Sequence, residues 1–413
     1  MTRSTQRISR GFSGSLFAGL MTFLLIEFYD ELAWTLATVA TPFIRDEFDL
    51  AYSQVGLLLG LPILLSSLIE PIVLLLGDTP LRSRVILGGG LLMGGAFALA
   101  GGADTFALLV PAMALSATSS GAFVSLSQAV MIGRHPAREA EMMARWTAAG
   151  TLGDLLGPAA LGAALLLGAS WREALVLLGA AALALALRLR TRLDFPPLRG
   201  RISLRSVAKE LLENLRNAVR VPGLWRWLLL LPLSDLMLDV FFGFVAVYLV
   251  DVDGMTAASA ALAATLWLLG FLAGQVILIK ALARHDRASH PAGDGPRLVR
   301  LTAFATVPIY AVWLLTPIVP VRLALLPVLG LLASPWYPVL QGEAYATVPG
   351  RPATVAALTS VSYSVGGLLA VAVGLVAAQA GLPAGMVLLA VGPLALAALT
   401  PNPSPAQPEG GQG

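Results

Sequence analysis

Cysteine is absent from the 413 residues, which excludes disulfides and thiolate metal sites and leaves the redox compartment unreadable. Histidine occurs only at His135, His285 and His290, all read as loop positions, so no buried imidazole is expected. Charge is scarce too. Only 12% of residues are charged against 57% hydrophobic, with a mean hydropathy of +0.80, and a soluble domain cannot hide that much apolar surface. Lysine is nearly missing, 2 residues against 25 arginines, and with the Ala, Leu and Gly bias this points to a GC-rich bacterial genome. No phosphate-binding loop and no nucleophile–His–acid constellation is present, which argues against ATP-driven pumping and against an enzyme, and no cofactor is expected. The sequence pI of 9.4 does not indicate nucleic acid, because the basic residues are spread over short connections between apolar runs.

What is present is a series of twelve apolar runs, most near the ~20 residues that span a bilayer core. The first six are Leu16 to Phe43, Val55 to Leu76, Val85 to Ala100, Phe106 to Ile132, Met143 to Gly168 and Trp171 to Leu187. The second six are Leu224 to Val250, Ala257 to Ile279, Leu298 to Leu315, Leu323 to Ala344, Val355 to Ala378 and Leu382 to Leu399. The fold class is therefore an all-α membrane protein with 12 transmembrane helices. Residues 1–187 form one six-helix bundle, 188–223 a cytoplasmic linker, 224–400 a second bundle, and 401–413 a Pro-, Gly- and Gln-rich tail expected to be disordered.

With the N-terminus in the cytoplasm, 24 of 27 Lys and Arg fall on the inside, leaving only Arg45, Arg172 and Arg322 outside. Both termini are assigned to the cytoplasm of a bacterial inner membrane. The first run follows a basic start but is too long for a signal peptide and lacks a small-residue cleavage site, so it is read as an uncleaved helix. In the linker, which also holds Pro196 and Pro197, the residues Leu204, Val207, Leu211, Leu215 and Val219 recur at helical spacing after Ser203 as N-cap. This is either an amphipathic helix on the membrane surface or a solvated linker helix.

Five carboxylates interrupt two of the runs. Glu27, Asp30 and Glu31 lie in the first, and Asp235 and Asp239 in the seventh. An ionisable side chain at the centre of a bilayer helix costs roughly 2.5–3.5 kcal/mol, so this set points to a polar cavity within a bundle. Spacing of i, i+3 and i+4 lets the first three approach one helix face, with Trp34 one turn further, and Asp235 and Asp239 are also one turn apart. Asp154 falls near the middle of the fifth run and Glu70 nearer the cytoplasm. So many acids in a low dielectric cannot all be ionised without counter-charge, and they are expected to exchange protons; the alternative is that one or two hydrogen-bond neighbouring helices as neutral acids. No Lys or Arg is expected near a helix midpoint, so a strongly anionic substrate would meet no buried cation. Tyr29, Trp34, Trp336 and Tyr337 offer aromatic faces to an organic cation, or serve as packing and interface anchors.

The halves echo each other. A shift of 213 residues superposes Gln128 on Gln341, Arg138 on Arg351 and Gly153 on Gly366, and a shift of 205 puts Asp30 on Asp235, Asp46 on Asp251 and Glu70 on Gln275. Duplicated halves with a midplane site are a known transporter architecture.

On these residues the chain resembles the major facilitator superfamily over its length apart from the tail. Gly77, Asp78, Arg82 and Arg84 are similar to a degraded form of that family's signature between helices two and three, with Leu74 and Ser83 at positions where it has Gly and Arg. Gly153, Gly157, Pro158 and Gly162 follow the fifth-helix pattern associated with drug exporters and proton antiporters; small residues there permit close packing and Pro158 a bend, although any tightly packed membrane helix is Gly-rich. Phe28 to Leu32, Asp46 to Phe48, Tyr52 to Gly56 and Ser66 to Pro71 resemble the fosmidomycin-resistance type. The helix-four arginine of that pattern is Ala117 here, before Gly121, so a proton pathway through it does not carry over. The resemblance implies two pseudo-symmetric six-helix bundles, with the first and seventh helices lining a central cavity and the Asp78/Arg82 turn closing the inward side.

The expectation is a secondary transporter, monomeric in the lipid bilayer, whose partners are protons and a small molecule: a proton-coupled exporter of cationic or amphipathic compounds. The alternatives are a cation or divalent-metal carrier using the carboxylates, and a membrane scaffold or sensor.

Overall fold

The computed structural model describes residues 3–195, 204–285 and 294–401. Every regular element is a helix, and no strand occurs among the described residues. An isolated apolar segment in lipid must satisfy its backbone polar groups internally, and only a helix does that. The first part of the chain forms α1 (Arg3–Val39), α2 (Thr41–Phe48), α3 (Tyr52–Leu75), α4 (Arg82–Gly101), α5 (Phe106–Ser120), α6 (Leu126–Gly133), α7 (Glu139–Leu166) and α8 (Trp171–Arg190). Next come α9 (Leu204–Ala218), α10 (Pro222–Asp235), α11 (Phe241–Asp251), α12 (Ala257–His285) and α13 (Asp294–Leu315). The last elements are α14 (Val319–Ala333), α15 (Trp336–Thr347), α16 (Pro352–Ala380), α17 (Leu382–Leu388) and α18 (Val391–Leu399).

All twelve apolar runs fall on helix. Nine stretches among the described residues are long and apolar enough to cross a membrane, and the other three runs lie on α1, α8 and α16, helices of 37, 20 and 29 residues. Several runs are not the single helices that periodicity predicts. The fourth and seventh each pass through a π turn, Gly121–Ser125 and Leu236–Val240, where the N–H of Leu126 reaches back to Gly121 and that of Phe241 to Leu236. The tenth breaks at Ser334 and Pro335, and the twelfth at Leu389 and Ala390, where Pro393 has no N–H to return to the carbonyl four residues back. Helix six continues through Arg188 and Arg190, and helix nine starts at Asp294, ahead of Arg297 and Arg300. His285 closes α12 instead of lying in a loop, whereas His135 is in a turn, its Nδ1 2.8 Å from the Met131 carbonyl.

The linker helix is present as α9, with Asn214 and Ala218 buried and Leu212 exposed. Ser203, Pro196, Pro197, His290 and the tail from 402 lie outside the described residues.

Packing divides the chain into two compact units. The first holds Met1–His135, Ala149–Arg220 and Pro349–Ser360; the second holds Pro136–Ala148, Val221–Val348 and Val361–Gly413. In the first, α4 is the central element, lying against α5 and α8. A Cβ at Gly179 of α8 would meet the Gly94 carbonyl of α4 at 2.6 Å, so these two helices approach at backbone distance. In the second, α12 and α14 make a close pair, with Gly270 against the Pro327 backbone and Gly330 against the Trp267 backbone.

Each unit is tied at one end by an arginine. In the first, Arg172 bonds Glu47 (Nε to Oε1, 2.8 Å) and the carbonyls of Gly101 (3.1 Å) and Ala103 (2.6 Å), with its guanidinium 4.6 Å from the Trp171 ring centroid. In the second, Arg322, 3% exposed, pairs with Asp253 and donates to the carbonyls of Trp313 (3.0 Å) and Thr316, beside the rings of Tyr248 and Trp313. Both link an acid after the unit's first spanning helix to the C-terminal carbonyls of its third. Glu47 is held below the usual carboxylate range, first by the Arg172 hydrogen bond and also by the Trp171 indole N–H at 2.6 Å.

Candidate functional site

The first unit gathers polar groups where α1, α3, α7 and the α5–α6 π turn meet. The three acids of α1 do not share one partner. Glu27 and Glu31, one turn apart, lie against α7, where a Cβ on Gly150 would come 2.9 Å from Glu27 Oε1 and 3.1 Å from Glu31 Cγ. Asp30 turns the other way and accepts the Ser120 hydroxyl on both oxygens, at 3.0 and 2.9 Å. The reason is angular. Successive residues on a helix differ by about 100°, so Asp30 and Glu31 diverge although both are near Glu27. Asp154 accepts Thr35 Oγ1 at 2.7 Å, joining α7 to α1. Glu70, half-buried on α3, accepts Ser125 Oγ at 2.8 Å.

The seam between α1 and α7 runs on glycine. A Cβ at Gly153 would overlap the Phe28 carbonyl, and one at Gly157 would lie 2.9 Å from Thr35 Cβ and 3.1 Å from the Leu32 carbonyl. Pro158 is exposed and α7 continues through it to Leu166. Close packing stops before Gly162, whose added Cβ would meet nothing within 4 Å.

In the second unit, Asp235 ends α10 and Asp239 lies in the π turn that follows; their side chains hydrogen-bond each other. Asp235 is half-buried and Asp239 exposed. Tyr363 lies near enough to both for their charges to act on it, and its ring is 6.2 Å from that of Tyr337. No ion pair among the described residues involves Asp30, Asp235 or Asp239, and no three acidic or imidazole groups converge to hold a metal ion.

Two of the four aromatic candidates are committed to packing. Tyr29 is buried and gives its hydroxyl to the Leu178 carbonyl at 2.9 Å. Trp336 is fully buried and its indole N–H bonds Thr302 Oγ1 at 2.9 Å. Trp34 remains 45% exposed and lines a small apolar pocket with Pro62, Phe97 and Met113, and Tyr337 is half-buried.

At the turn between α3 and α4, Asp78 closes a short 3₁₀ turn and reaches the first turn of α16. It accepts the N–H groups of Ala353 (3.2 Å) and Thr354 (2.7 Å) and the Thr354 hydroxyl (2.6 Å). Gly77 permits this approach, since its Cβ would sit 2.5 Å from that of Ala353 and overlap Leu126. Arg82 starts α4 close enough to act on the Asp78 charge, and Arg84 reaches the Pro80 carbonyl at 3.5 Å. Sequence reasoning missed Ser120, Ser125, Thr35 and Thr354. Nothing in the spacing marks a serine or threonine whose partner is on another helix.

A family profile described as Major Facilitator Superfamily matches residues 23–371. No curated protein sequence matches the chain. Among solved structures, the transporter FucP in the outward conformation superposes with a TM-score of 0.72 at 16% identity, over 92% of this chain and 97% of that one. The proton:xylose symporter XylE gives 0.69 at 13% identity, covering 94% and 97%, and the human organic anion transporter MFSD10 (TETRAN) gives 0.69 at 20% identity, covering 93% and 99%. At these identities the likeness shows the fold and not the substrate.

Proposed function

Because the chain belongs to the major facilitator superfamily, and is thus a secondary transporter, we propose that it is a proton-coupled exporter of cationic or amphipathic small molecules. The observation that carries this reading is the set of acids without basic partners: Asp30 held by a serine hydroxyl, and Asp235 with Asp239 held by each other. An ionised carboxylate in an apolar bundle is stabilised by a proton or by a bound cation, and where both compete for one group their movements are coupled. A carboxyl pair that hydrogen-bonds needs a proton between its oxygens, which makes Asp235/Asp239 suited to take one up and give it back. Tyr363 lies beside that pair with the Tyr337 ring 6.2 Å from its own, and Trp34 is one turn beyond Asp30.

Asp78 and Gly77 are assigned the inward-side latch, with Arg82 supporting the Asp78 charge. Gly153 and Gly157 form the smooth seam along which α1 and α7 shift. The test is reconstitution of the purified full chain in vesicles with an imposed pH gradient and ethidium as the cationic probe. Gradient-driven ethidium flux that dissipates the gradient is expected. Movement of a neutral sugar or an organic anion with no ethidium flux would overturn the cation reading.

A further inference from the structure

The repeat supplies an internal control for one acid that the proposed mechanism does not use. Glu70 on α3 rests against Gly121, where an added Cβ would lie 2.5 Å from its Cγ, and accepts Ser125 Oγ from the same π turn. Under the internal shifts of 205 and 213, Glu70 corresponds to Gln275 and Gly121 to Ser334. The second unit makes the corresponding contact: Gln275, fully buried on α12, donates Nε2 to the Ser334 carbonyl at 2.6 Å. The same place in each half is thus occupied by side chains of equal length and nearly equal shape, one neutral and one ionisable. The Gln275 Oε1 finds no partner, so the position in the fold asks for size and a single polar contact, not for a charge. Yet α3 carries an acid there, and an ionisable side chain within a membrane-spanning helix is unfavourable whatever its partner.

We propose that Glu70 is a proton-carrying carboxyl of the transport cycle, connected to Asp30 through Ser125 and Ser120 across the π turn. This rests on the proton-coupled reading above and names a further residue for it. In an α-helix, positions five apart point about 140° from each other; the i to i+5 closure of the π turn narrows that angle for Ser120, which precedes the turn, and Ser125, which ends it. One hydroxyl then serves Asp30 and the other Glu70, while α3 continues from Glu70 toward the Asp78 turn. The groups facing Glu70 are the hydroxyls of Ser125 and Ser360, with Asp30 from α1 the nearby acid; Asp30 in turn faces Asp154 from α7. A proton on Glu70 therefore lies between the inward turn and the Asp30 carboxyl.

The decisive variant is Glu70→Gln, which copies the second unit. A serine hydroxyl both donates and accepts, so an amide at position 70 keeps a partner. Infrared difference spectra of the reconstituted full chain, recorded as the pH is stepped through neutrality, should lose one protonated-carboxyl band in Glu70→Gln while the melting temperature in detergent stays at the wild-type value. Ser125→Ala should move the midpoint of that band alone. Gradient-driven ethidium flux should fall at least tenfold in Glu70→Gln. An unchanged set of titrating bands, or loss of the band with flux intact, overturns the proposal. If Glu70→Gln unfolds, the Ser125→Ala midpoint decides, and an unmoved midpoint overturns it. Failure of the wild type itself to move ethidium is the separate failure of the transport reading, and the band assignment is read independently of it.

Discussion

Asp78 caps a helix that starts 274 residues later: its carboxylate accepts both the backbone N–H and the hydroxyl of Thr354, at 2.7 and 2.6 Å. The first turn of α16 otherwise leaves its N–H groups open, and a carboxylate there satisfies them and meets the positive end of the helix dipole. Caps of this kind contribute about 1 kcal/mol, more when the acceptor is charged, which is the scale on which a conformational latch can open and close. Asp78→Ala should speed maleimide labelling of a single cysteine placed at Ala353, a clean reporter because the natural chain has none. Unchanged labelling would leave Asp78 a turn residue with no gating role.

Neutralising Asp30 or Asp235 as Asn keeps size and removes a titrating group. Each single variant should insert and purify as a monodisperse species yet lose at least tenfold in pH-driven ethidium flux, and proton release on ethidium addition should shrink. Wild-type flux in both would move the coupling role to Glu27, Glu31, Asp154 or Asp239.

The Arg172–Glu47 tie sets an acid dependence on stability. Since the Glu47 carboxyl is held below its ordinary range in the folded chain, its contribution is complete above the ordinary glutamate range and disappears as the pH falls through the depressed folded value. The pair is partly exposed, so about 1 kcal/mol or less is at stake. Thermal unfolding in detergent should show Glu47→Gln less stable than the parent at neutral pH and equal to it in acid. A difference that persists in strong acid would assign the loss to packing of α2 instead.

The glycines of α7 should separate by position. Gly157→Ala places a methyl against Thr35 and the Leu32 carbonyl, an overpacking that typically costs ~1–3 kcal/mol, whereas Gly162→Ala meets open space. Melting temperatures of the two variants test this, and equal values would remove the seam from the mechanism.

The sequence by itself determined the helices and marked the acids. Twelve apolar runs became helices because an apolar segment has no other way to satisfy its backbone in lipid, and Asp30, Asp235 and Asp239 stood out because a charge within such a run is costly whatever its partner. Both are properties of a short stretch, so a short stretch reports them. The Gly153 and Gly157 contacts were legible for the same reason, since a helix face without side chains invites a neighbour. Only the tertiary structure decided the partners: Ser120 for Asp30 lies 90 residues away, Ser125 for Glu70 lies 55 away, and Thr354 for Asp78 lies 276 away. It also turned Tyr29 and Trp336 into packing residues by giving their polar atoms to Leu178 and Thr302. Two π turns, invisible to a 3.6-residue period, aim the serines and the Asp239 carboxyl. A hydrogen bond between helices depends on the rotation and depth of both, and no spacing along one chain segment carries that information.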